Sequence, residues 1–231
     1  MPYDLKIAGG TIVDGSGSGR YRGDVGISAG RVVALGDAPE DALETVDANG
    51  RIVCPGFVDI HTHYDAQIIW DRSLSISPWH GVTTAVVGNC GFGIAPMRPE
   101  HRETAMRTLE KVEGMSFDSL SAGLGTDWPF TTFPDYLDLL ERKGSAINVA
   151  ALIGHTPLRL WVMGADATER EATPQEIEAM AALVREAVAA GAIGFSTSQA
   201  ATHHGDGGRP VPSRLASFEE IDSLVGAMAK S

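Results

Sequence analysis

Short apolar pulses separated by glycine-rich turns open the chain. Leu5 and Ile7, Ile12 and Val13, Val25 and Ile27, and Val32, Val33 and Leu35 alternate with Gly9-Gly10, the run from Asp14 to Gly19, Ala29-Gly30 and Gly36-Asp37. Val46 and Ile52-Val53 add further pulses, with Asn49-Gly50 between them as a hairpin signal. Apolar pulses bounded by turn residues predict strands, so residues 1–54 read as a small twisted β region. Its glycines do not lead from a strand into a helix, so they do not form a phosphate cradle.

From residue 55 the rhythm changes to strand, loop, helix. Val82 to Val87 is continuous and β-branched, as a strand buried on both faces should be, and it runs into Gly88-Asn89-Cys90-Gly91. Met106, Leu109 and Val112 recur at helical spacing within residues 101–113, whereas Ser116 to Trp128 is rich in Gly and Ser, has no period and reads as a loop. Phe133 to Lys143 reads as a helix with Pro134 in its first turn and Gly144 past its end. Ile147 to Ile153 is a third strand, followed by Gly154-His155-Thr156-Pro157. Thr173-Pro174-Gln175-Glu176 is a capping box ahead of the stripe Ile177, Met180, Val184 and Val188, which Gly191 stops. Ala192 to Thr197 is a fourth strand, and Ser217 caps a last helix with Ile221, Leu224, Val225 and Met228 on one face. Strands alternating with helices imply parallel βα units joined by right-handed crossovers.

Composition narrows the class. At 231 residues, 43% hydrophobic and 21% charged, the chain can bury a sizeable core. A formal net charge of -12 argues against nucleic acid or an anionic membrane as partner. Cys54 and Cys90 show no disulfide-framework spacing, and Met1-Pro2-Tyr3-Asp4 lacks the basic-then-apolar order of a signal peptide, which together favour a cytoplasmic protein. The oligomeric state is not specified by the sequence.

The chemistry concentrates in Pro55-Gly56-Phe57-Val58-Asp59-Ile60-His61-Thr62-His63. Alternation along a strand points His61 and His63 the same way, so two imidazoles at a strand tip can reach one cation. Asp59 shares that face and is a candidate to orient a ligating histidine. Cys90 stands at the end of the next strand, between glycines that allow a sharp turn toward the same mouth. Asp65, two residues past His63, is a candidate for the site or for capping the following segment. His155 divides between substrate contact and a hydrogen-bonded loop anchor. His203-His204 reads as a solvated loop, Cys54 as a small buried hydrophobe and the tryptophans as packing. No G-x-S-x-G elbow supports a Ser-His-Asp hydrolase.

The segments Ile7-x-Gly9-Gly10-Thr11-Ile12-Val13-Asp14-Gly15 and Pro55-Gly56-Phe57-Val58-Asp59-x-His61-x-His63 together resemble the amidohydrolase superfamily. Gly81-Val82-Thr83-Thr84, Gly88-Asn89-Cys90-Gly91, Gly154-His155-Thr156-Pro157-Leu158-Arg159 and Gly191 to Thr197 resemble its D-aminoacylase branch, the N-acyl-D-amino-acid deacylases. The resemblance implies an α/β fold: a (β/α)8 TIM-like barrel of which about four βα units lie in residues 55–231, beside a small N-terminal β-sandwich-type domain over residues 1–54. It implies His61, His63 and Cys90 as ligands of one or two zinc ions, with Cys90 in place of the strand-four lysine of other members, and Asn89 beside them near metal or substrate. It also implies further histidine ligands and a catalytic aspartate beyond Ser231, so the chain reads as an N-terminal fragment, inactive and aggregation-prone alone. The implied activity is zinc-dependent hydrolysis of the linear amide of N-acyl-D-amino acids. A cyclic-amide hydrolase of dihydroorotase or hydantoinase type, or a non-catalytic truncated protein, stays open.

Overall fold

Two sheets account for all the strands of the computed structural model, which describes residues 1–125 and 127–229. Contacts divide the chain into two units, Met1–Gly56 and Phe57–Ser231. In the first, β1 (Tyr3–Ile12), β2 (Tyr21–Ser28), β3 (Arg31–Gly36) and β4 (Ala42–Asp47) lie in the order β3-β2-β1-β4, with β5 (Ile52–Val53) also on β1. Gly9-Gly10 is not the turn that its composition suggests. β1 runs through it, with a register shift between Ile7 and Gly10 where Gly9 takes φ 71° and donates its N–H to the Asp24 carboxylate at 2.7 Å. A bulge absorbs the glycine pair without ending the strand. Asn49-Gly50 is a turn but not a hairpin, because β4 and β5 both pair parallel to β1 and not with each other. Among the described residues this unit has one sheet. Ile7, Ile12, Val25, Ile27, Val32, Leu35 and Val53 line an apolar hollow on it, and Cys54 at its rim is exposed, not buried.

The second unit carries β6 (Phe57–Asp59), β7 (Val82–Val87), α1 (Arg102–Glu113), α2 (Phe117–Leu124), α3 (Phe133–Lys143), β8 (Asn148–Gly154), α4 (His155–Met163), α5 (Pro174–Ala189), β9 (Gly194–Ser196) and α6 (Phe218–Met228). Its strands pair in the order β6-β7-β8-β9, every pair parallel, as a curled half-barrel sheet. Val87, Ala151 and Ile153 pack against Met106, Leu109, Leu139, Leu160, Met180, Val184 and Leu224, so the core lies between sheet and helices. Val58, Ile60 and Ile193 stay exposed at the sheet's two outer strands.

α3 and α5 follow their signals. Thr132 with Asp135, and Thr173 with Glu176, form reciprocal capping boxes, each with proline in the first turn. The segment read as a loop from Ser116 to Trp128 instead contains α2, capped by Ser116 and buried through Leu120 and Leu124. Gly123 is there for close approach: a β-carbon would overlap the Trp70 ring. α4 had no sequence signal, because a helix buried nearly all round shows no polar face and no period.

The buried face of α6 centres on Glu220, Leu224 and Ala227, with Val225 turned to solvent. Glu220 is drawn inside by Arg159 and His155, all three fully buried. Arg159 Nη1 lies 2.7 Å from Glu220 Oε1, and Arg159 Nη2 donates to the Arg170 carbonyl at 2.7 Å. Burial alone would raise the Glu220 pKa, but the hydrogen bonds from His155 and Arg159 outweigh it and hold the group ionised.

Removing that carboxylate leaves a guanidinium buried without its counter-charge, which costs about 3–5 kcal/mol. Glu220→Gln is therefore expected to lower the unfolding free energy obtained from urea titration by that margin, and a loss under a tenth of it would contradict this account. A second expectation concerns pH. Glu176 is held down to about 2 by the hydrogen bond from Arg170 and then by the Thr173 backbone N–H. A depressed folded-state pKa gives stability that is complete above the unfolded value of 4.5 and is lost as pH falls toward 2. Unfolding midpoints measured across that window should fall less steeply for Glu176→Gln than for the wild-type chain.

Candidate metal centre

β6 is only three residues long, and the chain leaves it extended, alongside the continuing β7. Thr62 fixes this extension: its N–H and its hydroxyl both donate to the Val86 carbonyl, at 3.1 and 2.7 Å. The histidines on either side of Thr62 are thereby held at the C-terminal end of the sheet, with ring centroids 5.3 Å apart. The histidines expected at a strand tip stand just beyond β6, which ends at Asp59, and converge there.

Beyond β7 the chain turns through Gly88-Asn89-Cys90-Gly91. Gly88 and Gly91 take φ 82° and 74°, and Cys90 itself takes φ 56°, in the left-handed region. A β-carbon at Gly88 would overlap the Leu152 carbonyl oxygen, and one at Gly91 would lie 3.0 Å from Thr197 Cα. Asn89 is buried, and its side-chain amide donates to the carbonyls of Thr62 at 3.2 Å and Val86 at 2.9 Å. It sews the His-Thr-His segment to the Cys90 turn. The result brings Cys90 Sγ to 3.2 Å from His61 Nε2. One donor atom each from His61, His63 and Cys90 lies within 4.8 Å of the others, a group with the reach to hold one metal ion.

Other candidates separate. Asp59 accepts the His61 backbone N–H at 3.3 Å, so it shapes the turn. Asp65 is buried, hydrogen-bonded by the Gly88 backbone, and burial pushes its pKa up to about 7. His155 is fully buried, with Nε2 2.8 Å from Glu220 and Nδ1 2.8 Å from Thr197 Oγ1. Burial keeps its ring below the usual pKa against the pull of Glu220. A carboxylate only accepts, so Nε2 carries the proton and Nδ1 receives the Thr197 hydroxyl. Both nitrogens are engaged, which makes His155 an anchor. His203 packs on Phe92, which in turn packs on His63, with centroid separations of 5.2 and 6.3 Å, while His204 is exposed.

The sequence reading missed Glu113. Its Oε1 lies 3.1 Å from His63 Nδ1, yet the approach is off the ring N–H direction, so both atoms are buried without a hydrogen bond. Burial and then Asp65 push Glu113 up to about 7, while burial, then His61 and His203, press His63 down to about 4. Burial, and then Glu113, raise the Cys90 thiol. The available signal was a carboxylate in the last turn of α1, where the helix dipole opposes it.

The model of the amidohydrolase family matches residues 44–229. The chain belongs to the amidohydrolase family. It is 40% identical over 198 residues to D-aminoacylase of Alcaligenes xylosoxydans xylosoxydans, covering 85% of this chain and 38% of that protein. The structure of N-acyl-D-glutamate deacylase from Bordetella bronchiseptica, complexed with zinc and a phosphonate mimic of the tetrahedral intermediate, superposes with a TM-score of 0.80 at 34% identity, over 100% of this chain and 44% of that one. A D-aminoacylase whose binuclear metal centre has been described gives 0.79 at 35% identity, over 99% of this chain and 44% of that one. This amidohydrolase chain thus spans about two fifths of the length of these relatives. No helix among its described residues is long and apolar enough to cross a membrane.

The turn that carries Cys90 is testable by sterics alone. Gly88 and Gly114 both have positive φ, but only Gly88 has a neighbour in the way of a β-carbon. The conformational penalty common to both is about 1–2 kcal/mol. Gly114→Ala should show that loss alone, whereas Gly88→Ala should lose substantially more in urea unfolding. Equal losses would mean that the Gly88 turn is not tightly held.

Proposed function

We propose that these residues supply the first part of the metal centre of a zinc-dependent amidohydrolase that cleaves the amide of N-acyl-D-amino acids to a carboxylate and a D-amino acid. The activity is that of a protein at the relatives' full length. The observation that carries it is the convergence of His61, His63 and Cys90 at one sheet end in a chain similar to D-aminoacylases over nearly all its length. In the same reading the four βα units are the first of a (β/α)8 barrel, and the N-terminal sheet is one layer of a β-sandwich-type domain. The uncovered apolar hollow on that sheet supports a missing second layer.

The donor set fits the metal. Two imidazoles and one thiol suit zinc, and His63 Nδ1 is a buried nitrogen without a hydrogen bond, an arrangement that a cation on the ring would help to compensate. When bound, zinc would act as a Lewis acid toward the amide carbonyl and make a coordinated water acidic near pH ~7. The chain's own residues do the holding. Thr62 and Asn89 fix the spacing between the histidines and Cys90. Glu113 stands behind His63 at the distance from which a carboxylate steers a ligating ring. Asp65 secures the Gly88 end of the cysteine turn.

With stoichiometric zinc, the full-length protein should release free D-amino acid from N-acetyl-D-amino acids and leave the N-acetyl-L forms intact. Activity confined to dihydropyrimidine rings would overturn this reading. Cys90→Ala should abolish turnover and lower the zinc content measured by mass spectrometry, while Cys54→Ala, in the N-terminal unit, should change neither.

A further inference from the structure

Ser196, the last residue of β9, touches the Cys90 turn at both ends. Its hydroxyl donates to the Gly88 carbonyl, and its oxygen accepts the Gly91 N–H at 2.9 Å. One side chain therefore closes a four-residue turn from across the sheet, past the end of β8. Between those two contacts lies Cys90, at φ 56° and ψ 18°, a conformation that costs a residue with a β-carbon about 1–2 kcal/mol. Strain of this kind persists only where the surroundings over-determine it.

The neighbours make Ser196 a rigid support. Thr197, next in the chain, is hydrogen-bonded to His155, and His155 to Glu220, which pairs with Arg159. β9 is thus tied to the buried cluster behind it and presents the Ser196 hydroxyl at a fixed place. There is little room for another arrangement, since Thr197 Cα already lies 3.0 Å from where a Gly91 β-carbon would stand.

We propose that Ser196 is a positioning residue for the metal centre: by bracing Gly88 and Gly91 it holds Cys90 in the left-handed conformation that aims its sulfur at His61. The inference rests on the reading of Cys90 as a ligand of a divalent, thiophilic cation such as zinc. Without the hydroxyl, the Gly88 carbonyl and Gly91 N–H lose these hydrogen bonds. The turn is then free to relax toward negative φ at Cys90, which carries Sγ off its 3.2 Å approach to His61 Nε2.

Cobalt(II) gives a readout independent of turnover. The full-length protein, freed of metal and titrated with Co2+, should show the near-ultraviolet thiolate-to-cobalt charge-transfer band. Ser196→Ala should weaken that band at saturation and lower Co2+ affinity about 10- to 100-fold, the range for losing a group that orients a ligand. Ser196→Thr keeps the hydroxyl and should restore both. Ser213 provides the control, because its hydroxyl likewise donates to a backbone carbonyl, that of Ser198 at 2.8 Å in the following loop, from a fully buried position. Ser213→Ala should lower the urea midpoint without changing the band. The inference is overturned if Ser196→Ala keeps wild-type affinity and band, if it loses no more than Ser213→Ala, or if Ser196→Thr folds yet lacks the band. A wild-type protein without the band, matched by Cys90→Ala in cobalt affinity, would instead remove the reading of Cys90 on which the inference rests.

Discussion

Everything at the site depends on four strands running the same way. In a parallel sheet the C-terminal ends share one rim, and the carbonyls that emerge there have no further strand to pair with. Side chains take them up. The Val86 carbonyl receives the Thr62 N–H, the Thr62 hydroxyl and the Asn89 amide, and the Gly88 carbonyl receives the Ser196 hydroxyl. These bonds run sideways from strand end to strand end. They convert a row of loose ends into a fixed frame, and that frame sets the spacing of His61, His63 and Cys90.

Two clusters of buried polar groups lie close behind this rim, and they differ in one respect. Around Glu220 the counter-charges are present: Arg159 pairs with the carboxylate, and His155 satisfies both of its nitrogens. Around Glu113 they are not. His63 Nδ1 and Glu113 Oε1 face each other without a hydrogen bond, and Asp65 adds a second buried carboxyl nearby. A buried charge paired with its counter-charge is held rigidly, as Arg159 is by Glu220 even though its Nε stays without a hydrogen bond, while an unpaired buried group carries its full desolvation penalty. The first cluster is a girder. The second is an arrangement in which His63 Nδ1 and Glu113 Oε1 stay buried without a hydrogen bond.

What could be read from the sequence followed from how local each signal was. Pro134, Thr173 and Ser217 announced helix starts because a cap or a first-turn proline acts on the next few residues and needs nothing from the rest of the fold. The β-branched run from Val82 to Val87 announced its strand for the same reason. The H-x-H spacing and the glycines around Cys90 indicated convergence at one sheet end. What escaped notice depended on partners far along the chain. Gly123 looked like a helix breaker because the Trp70 ring that it accommodates is more than fifty residues earlier. Nothing in the sequence marked Glu220 as buried, because its partners are on α4. Glu113 and Ser196 are common residue types, and only the folded chain sets them against His63 and the Cys90 turn.

The conformation of Cys90 shows which way the balance between stability and chemistry was struck. A free cysteine packs well as a small apolar side chain, and one placed within β7 would need neither a positive φ nor flanking glycines. Here the chain instead accepts an αL residue with a β-carbon and a glycine that only the Leu152 carbonyl can explain. Packing alone gives no reason for that choice, since the thiol ends only partly buried beside the exposed His61. The left-handed turn does give the sulfur one thing: it folds Cys90 back over the rim, toward the strand that carries the histidines, to within 3.2 Å of a ring nitrogen. Local strain opposed by sideways hydrogen bonds is what holds side chains from adjacent strands together at a sheet end, and the half-barrel behind the rim keeps that strain in place.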